Sequence, residues 1–180
     1  MSAVVGENPA SPPAAAGQMK IRDAVPDDLA ALVAIYNAAI ATRISTAQLE
    51  PVTVESRRDW LKDHTATRHP FWVMENDGQV AGWLTIKPFV QRSAYDGTVE
   101  LSVYVDERFR RRGVGRALLE EAIARAPSLG IKAMLGLIFA HNEPSVRLFA
   151  SLGFVSWGML PRVAILEGQE RDLTIMGRHA

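Results

Sequence analysis

Two groups of residues in this 180-residue chain have types and spacing suited to chemistry. Glu100 lies within Thr98-Val99-Glu100-Leu101-Ser102-Val103-Tyr104-Val105, which alternates residue by residue and predicts a strand. Alternation sets Glu100 with Thr98, Ser102 and Tyr104 on one face, and the valines and Leu101 on the other. A carboxylate so placed can accept the proton that an ammonium group must lose before its lone pair attacks an electrophile. Spacing alone favours a simpler role, a carboxylate on a solvated strand face. The second group is Arg110-Arg111-Arg112-Gly113-Val114-Gly115-Arg116. Where it enters a predicted helix, unpaired backbone N–H groups point outward at the positive end of the helix dipole. That arrangement suits a pyrophosphate, which the glycines allow to approach closely and the arginines attract. Taken alone, the loop reads equally as a basic surface turn. Its position between a long strand and an amphipathic helix favours the cradle. Neither G-x-G-x-x-G nor G-x-x-x-x-G-K-[ST] occurs, which argues against nicotinamide cofactors and nucleoside triphosphates.

The elements that must position these groups follow from periodicity. Residues 1–18, MSAVVGENPASPPAAAGQ, are rich in Ala, Pro, Gly and Ser without apolar periodicity, and predict a disordered leader. From Met19 the pattern changes. MKIRDAV reads as a strand, and Pro26-Asp27-Asp28 starts a helix through LAALVAIYNAAI. Residues 53–63 read as a second helix. Phe71–Met74 and Val80–Ile86 flank Asn76-Asp77-Gly78, a turn suited to positive φ, so the three predict a hairpin. After the Arg-Gly loop, ALLEEAIARA reads as a helix closed by Pro127 and Gly130. Ile131–Phe139 reads as a strand, Asn142-Glu143-Pro144-Ser145 leads into a short helix VRLFASL, and Gly153 caps it. Phe154–Met159 and Asp172–Met176 supply the last strands. The succession predicts one α/β (α+β) domain over residues 19–180, a mixed sheet of six to seven strands with helices on both faces.

Composition bounds the possible functions. The chain is 48% hydrophobic and 22% charged, enough for one continuous core. Twenty basic residues balance twenty acidic ones, so no global charge draws the protein to nucleic acid or an anionic membrane. The arginine cluster occupies a single loop, unlike the broad basic face of a groove-reading module. Cysteine is absent, which excludes disulfides, thiolate zinc ligation and cysteine nucleophiles. His64, His69, His141 and His179 show no metal spacing, and His64 and His69 are expected on a solvated surface. No metal is expected. No apolar run nears the roughly 18 residues of a membrane span, and no signal segment is evident, so a cytoplasmic protein is expected. Trp60, Trp72, Trp83 and Trp157 are expected in core or interface packing.

Arg110-x-x-Gly113-x-Gly115 resembles the acetyl-CoA motif of the GNAT superfamily of N-acetyltransferases. Asn142-x-x-Ser145, with Leu148-Phe149 and Leu152-Gly153-Phe154, resembles its second signature. More narrowly, Ile35-Tyr36-Asn37, Ala94-Tyr95, Thr98–Val105 and Asn142–Arg147 are similar to the phosphinothricin and methionine sulfone/sulfoximine acetyltransferases. The resemblance spans Met19 nearly to the C-terminus and implies the GNAT fold and acetyl-CoA as acetyl donor. It also implies a small amine acceptor, an amino acid or analogue, and a homodimer. By the same resemblance, backbone groups of Val103, Tyr104 and Val105 hold the pantetheine arm. Those of Arg111, Arg112, Gly113, Val114, Gly115 and Arg116 hold the pyrophosphate. Asn142 and Ser145 belong to a further coenzyme contact, and Asn142 also suits a helix N-cap. Glu100 becomes the general base, with a backbone N–H around Val103 as oxyanion donor. Arg92 matches a carboxylate-binding position, with Val90, Gln91 and Tyr95 lining the same pocket and Leu101 and Ser102 its floor. One departure stands out. Phe149 occupies the place of a tyrosine thought to protonate the departing thiolate, leaving water, Tyr104 or unassisted departure. Two alternatives remain open: acetylation of protein N-termini or lysines, and a non-catalytic acyl-CoA-binding module.

Overall fold

The computed structural model describes residues 18–62 and 64–180. The predicted leader, apart from Gln18, and residue Asp63 lie outside the described residues. Seven strands form one sheet: β1 (Met19–Asp23), β2 (Phe71–Asn76), β3 (Gln79–Pro88), β4 (Thr98–Val105), β5 (Ala133–Phe139), β6 (Val155–Leu166) and β7 (Gln169–His179). Their order is β1-β2-β3-β4-β5-β7-β6. Only β4 and β5 pair in parallel, through a crossover that carries α2 (Val114–Arg125). The others are antiparallel neighbours. Helices α1 (Leu29–Thr42) and α3 (Glu143–Ala150) complete the fold, a mixed α/β GNAT architecture.

Alternation along the central strands builds two cores on opposite faces. On one, Trp72, Leu84, Ile86, Val99 and Leu101 pack against Leu118, Leu119 and Ala122 of α2. On the other, Phe71, Val73 and Trp83 meet Leu32 and Ile35 of α1. Fully burying such a side chain contributes about 1.5–3 kcal/mol before entropy is counted. An ion-pair cluster ties the β1 edge to the start of α1. Arg22 bonds the Asp28 carboxylate at 2.7 and 2.9 Å and Glu75 at 2.8 Å. Burial alone would push the Asp28 carboxyl up, but the Arg22 guanidinium and the Val25 N–H outweigh it and hold it below the usual carboxylate range. The same hydrogen bond to Asp28 pushes the Arg22 guanidinium further up.

The β2–β3 hairpin forms as its turn chemistry predicts, with Asp77 at φ 48° and Gly78 at φ 79°. A second hairpin was not read from the sequence. β6 and β7 run much longer than Phe154–Met159 and Asp172–Met176 and join through Glu167 (φ 50°) and Gly168 (φ 77°). Glu is an uncommon first residue for that turn, so the signal was weak. The helix expected over residues 53–63 is instead a 3-10 segment, Glu55–Leu61. Val54, just before it, and Arg57, Trp60 and Leu61 within it are the half-buried positions of this stretch.

Candidate active site

The strand β4 is paired on one side from Val99 to its end but on the other only at its start. With β3 it is in register from Val105 opposite Gly82 to Val99 opposite Pro88. With β5 it pairs only at Thr98, Val99 and Glu100, opposite Ala133, Met134 and Leu135. Both strands continue past that point, β4 to Val105 and β5 to Phe139. They therefore splay apart just after Glu100, leaving one edge of Leu101–Val105 without a strand partner. Unpaired main-chain groups at such an edge suit an amide-bearing ligand that extends the ladder.

The Arg-Gly loop lies at the same end of β4. β4 ends at Val105, a 3-10 turn spans Glu107–Phe109, and α2 begins at Val114. Arg111 (φ 59°) and Gly113 (φ 83°) take left-handed conformations that turn the chain into the helix. The Ala117 N–H bonds to Gly113 O at 2.9 Å, and those of Val114, Gly115 and Arg116 precede it as free helix-start donors. A side chain on Gly113 would meet nothing within 4 Å, so the loop faces open space. Gly115 is tighter; a Cβ there would lie 3.3 Å from Leu148. Gly82 lets α2 press onto the sheet, because a Cβ there would come within 2.8 Å of Val114. The arginines are not equivalent. Arg116 turns toward α3, bonding Ser151 Oγ at 2.7 Å and Glu120 at 3.2 Å. Arg112 lies over the Phe109 ring at 5.6 Å, and Arg110 and Arg111 are exposed. Asn142 caps α3, its Oδ1 accepting the Ser145 N–H at 3.3 Å. The loop, the splayed edge and the helix start fit an extended phosphate-bearing cosubstrate.

Glu100 is half-buried, faces Lys87 across the β3 register and makes no hydrogen bond or ion pair with the described residues. Ser102 and Tyr104 continue its face, opposite Thr85 and Trp83. With Tyr36 and Trp60 these side chains wall an aromatic cup of about 210 Å³, reaching Arg57, His64 and Phe71. Trp83 stands 4.5 Å from Tyr104 and 5.8 Å from Trp60 between ring centroids, and Tyr36 meets Tyr104 edge-on at 5.2 Å. Burial first, and then the neighbouring Tyr36 and Glu100, push the Tyr104 phenol up against an opposing hydrogen bond from Thr46. It stays a proton donor at neutral pH. Three buried polar atoms of the cup find no hydrogen-bond partner among the described residues: Arg57 Nε, Trp83 Nε1 and Thr85 Oγ1. Leaving such an atom unpaired costs about 1–3 kcal/mol, so all three are available to water or to a ligand that enters the cup.

The residues expected to share one pocket are divided. Val90, Gln91, Arg92 and Tyr95 line a shallow cleft of about 330 Å³ with Arg68 and Asp96, and all six are exposed. The chain passes from cup to cleft between Lys87 and Pro88, and the two share no lining residue. Ser102 lines the cup. Leu101, expected beside it as floor, points the other way and is 3% exposed in the α2-side core, as strand alternation requires. Phe149 is buried against Phe154 at 4.9 Å, and its ring lies where any side chain on Gly136 would collide. It packs the core. His64, expected on a solvated surface, is half-buried in the cup wall against Phe71 at 5.1 Å, with Nδ1 2.9 Å from His69 O. Sequence reasoning also missed Arg57, Trp60, Trp83 and Thr85 as pocket residues. The available signal was the Trp83-x-Thr85-x-Lys87 alternation, which needs the β3–β4 register to reach Glu100. Trp157 is 42% exposed, its ring over Gly177 and 4.9 Å from His179.

Among the described residues no cluster of His, Asp or Glu could hold a metal ion, and no helix is long and apolar enough to cross a membrane. Comparison with known proteins agrees with the geometry. Residues 32–154 match the model of the acetyltransferase (GNAT) family. The chain is 47% identical to YwnH of Bacillus subtilis, provisionally named a phosphinothricin acetyltransferase, over 89% of this chain and 98% of that one. It is 34% identical to the L-methionine sulfoximine/L-methionine sulfone acetyltransferase of Pseudomonas aeruginosa, over 87% and 91%. The structure of yncA from Salmonella typhimurium, solved with its cofactor acetyl-CoA, superposes with a TM-score of 0.85 at 32% identity, covering 90% and 94%. A β4–β5 splay ending on a Gly-Arg helix start, beside an aromatic cup with a free carboxylate, thus belongs to a recognised lineage: the chain is a member of the GNAT acetyltransferase family, an N-acetyltransferase that uses acetyl-CoA.

Proposed function

We propose that the protein acetylates the amine of a small amino acid or analogue of the phosphinothricin or methionine sulfone/sulfoximine kind, with Glu100 as general base. The observation that carries this reading is the free, half-buried Glu100 at the point where β4 and β5 part, with the aromatic cup on its own face. Acetyl-CoA supplies an acetyl thioester when bound. The N–H groups of Val114, Gly115 and Arg116, with those of Arg111, Arg112 and Gly113, receive its pyrophosphate, and the free edge of Val103, Tyr104 and Val105 receives its amide arm. Asn142 and Ser145 stand beside this path at the start of α3. Glu100 takes the amine proton, directly or through water. A backbone N–H around Val103 donates to the thioester oxygen. With Phe149 in the core, Tyr104 or water returns a proton to the thiolate. The cup, at about 210 Å³, suits a small acceptor better than a peptide.

The reading extends the acetyltransferase domain over residues 19–180 and places the enzyme in the cytoplasm, where its lack of cysteine is unremarkable. It also makes the protein a homodimer. Val155, Met159, Val163 and Ile165 on the outermost strand β6 are 53–64% exposed, an apolar edge that a second copy would cover. The deciding assay is thiol release from acetyl-CoA with a panel of methionine sulfone, methionine sulfoximine, phosphinothricin and N-terminal peptides, for wild type and Glu100→Gln. Turnover of the small acceptors that collapses in Glu100→Gln is expected. Preferential turnover of peptides, or coenzyme binding without turnover, would replace the reading with one of its alternatives.

A further inference from the structure

The three unpartnered polar atoms of the cup say what its far end is for. Arg57 Nε and Trp83 Nε1 can only donate hydrogen bonds, and the Thr85 hydroxyl can donate as well. Thr85 is itself 3% exposed, and so is Trp83. Arg57 is held over the Trp60 ring at 5.2 Å, which fixes the guanidinium at the cup wall. A group meeting these donors must present acceptor oxygens, and an aliphatic tip would leave them unpaired. Their position along β3 matters too. Lys87 is directly across from Glu100, Thr85 is across from Ser102, and Trp83 is across from Tyr104. A two-residue step along a strand covers about 7 Å. An amine at Glu100 therefore carries its α-carbon substituents near Lys87, while its side chain runs one step along the strand to Thr85, with the long Trp83 and Arg57 side chains, rooted farther off, lining the same cup.

We infer that Arg57, Trp83 and Thr85 form an oxygen-reading end of the cup, which selects acceptors whose side chain ends in a sulfone, sulfoximine or phosphinate. The α-carboxylate is not their ligand, and the Arg92 cleft is not where the side-chain tip is read. This rests on the acetyl-transfer reading for the placement of the amine. The cation at Arg57 favours an anionic phosphinate over a neutral sulfone, whereas the Trp83 and Thr85 donors serve both.

The test uses Thr85→Val, which deletes one donor at nearly constant shape, and Trp83→Phe, which deletes one donor and shortens the ring, together with Arg57→Gln and Arg92→Gln. Steady-state kinetics at saturating acetyl-CoA are measured on methionine sulfone, phosphinothricin, norleucine and 3-(methylsulfonyl)propylamine. Norleucine lacks the tip oxygens, and the propylamine lacks the carboxylate. Trp83→Phe and Thr85→Val should each raise KM for methionine sulfone and for the propylamine by about three- to tenfold, with kcat and the KM for acetyl-CoA nearly unchanged. Thr85→Val should leave norleucine unmoved, and Trp83→Phe should cost norleucine less than it costs methionine sulfone. Arg57→Gln should raise KM for phosphinothricin more than for methionine sulfone, whereas Arg92→Gln, at the position expected to bind the carboxylate, should not discriminate between norleucine and methionine sulfone. Equal losses on norleucine and methionine sulfone would overturn the inference, as would no loss on either. A loss that disappears with the propylamine would reassign the donors to the carboxylate and also overturn it. Calorimetric binding of methionine sulfone to wild type and Thr85→Val reads the same preference without turnover. If wild type releases no thiol yet binds methionine sulfone more tightly than Thr85→Val does, acetyl transfer fails and the oxygen-reading end stands. If wild type does not bind it, the inference fails.

Discussion

The two faces of β4 differ more than their sequences do. Toward α2, Val99 and Leu101 are 1% and 3% exposed in a wholly apolar core. Toward α1, Glu100, Ser102 and Tyr104 are half-buried beside a cup that leaves three polar atoms without partners. One face lowers free energy by excluding water, and the other half-buries polar groups without protein partners, at a cost in stability. The strand is common to both, so its register fixes the Glu100 face as firmly as the core face is packed. A one-residue slip would exchange them.

Substitutions on the two faces should therefore separate activity from stability. The largest effect is expected from Glu100→Gln, which should lower kcat by about 10²–10⁴-fold with an unchanged melting temperature. If thermal melting falls while kcat holds, the comparison breaks. Leu101→Ala, one residue away, should do the reverse, destabilising by about 2–5 kcal/mol in chemical denaturation. Its activity per folded molecule should be retained. Tyr104→Phe tests the proton source left open by Phe149. A fall in kcat of about tenfold or more, with KM for acetyl-CoA unchanged, would assign the phenol, whereas unchanged kcat would favour water. Gly113→Val should raise KM for acetyl-CoA severalfold, because a β-branched residue is strained at φ 83° although nothing blocks its side chain. Coenzyme titration would read this directly.

The smallest effect concerns the edge far from the chemistry. Asp28 titrates below its usual value in the folded state, so its stabilisation is fully present above pH about 4 and is lost as pH falls through the lowered folded value. Asp28→Asn should therefore flatten the acid limb of a melting-temperature profile while leaving acetylation at neutral pH alone. A matching loss of kcat would tie that cluster to the site and weaken the contrast drawn here.

Much of this was legible in the chain. Thr98–Val105 is the strand that its alternation predicts, and the Asp77-Gly78 turn, the Gly153 cap and the Asn142 N-cap follow from residue types whose local physics is strong. The Arg-Gly loop was readable for the same reason, since free N–H groups at a helix start are a local property. The cup was not. Arg57, Trp60, His64 and Thr85 carry no motif, and Trp83 reads as packing. They share the Glu100 face only because β3 and β4 pair with Lys87 opposite Glu100 and because a 3-10 segment brings Arg57 and Trp60 to the cup. Leu101 shows the limit from the other side: it adjoins Ser102 in sequence and is turned away from it in space.

The sequence by itself determined the strand that carries Glu100, the phosphate-sized helix start and the order of elements, because each depends on interactions within a few residues. Tertiary structure alone decided where β4 and β5 part, which cleft lies beside Glu100 and which buried donors lack partners. Those outcomes depend on register and on the meeting of segments far apart in the chain, and no local pattern encodes them.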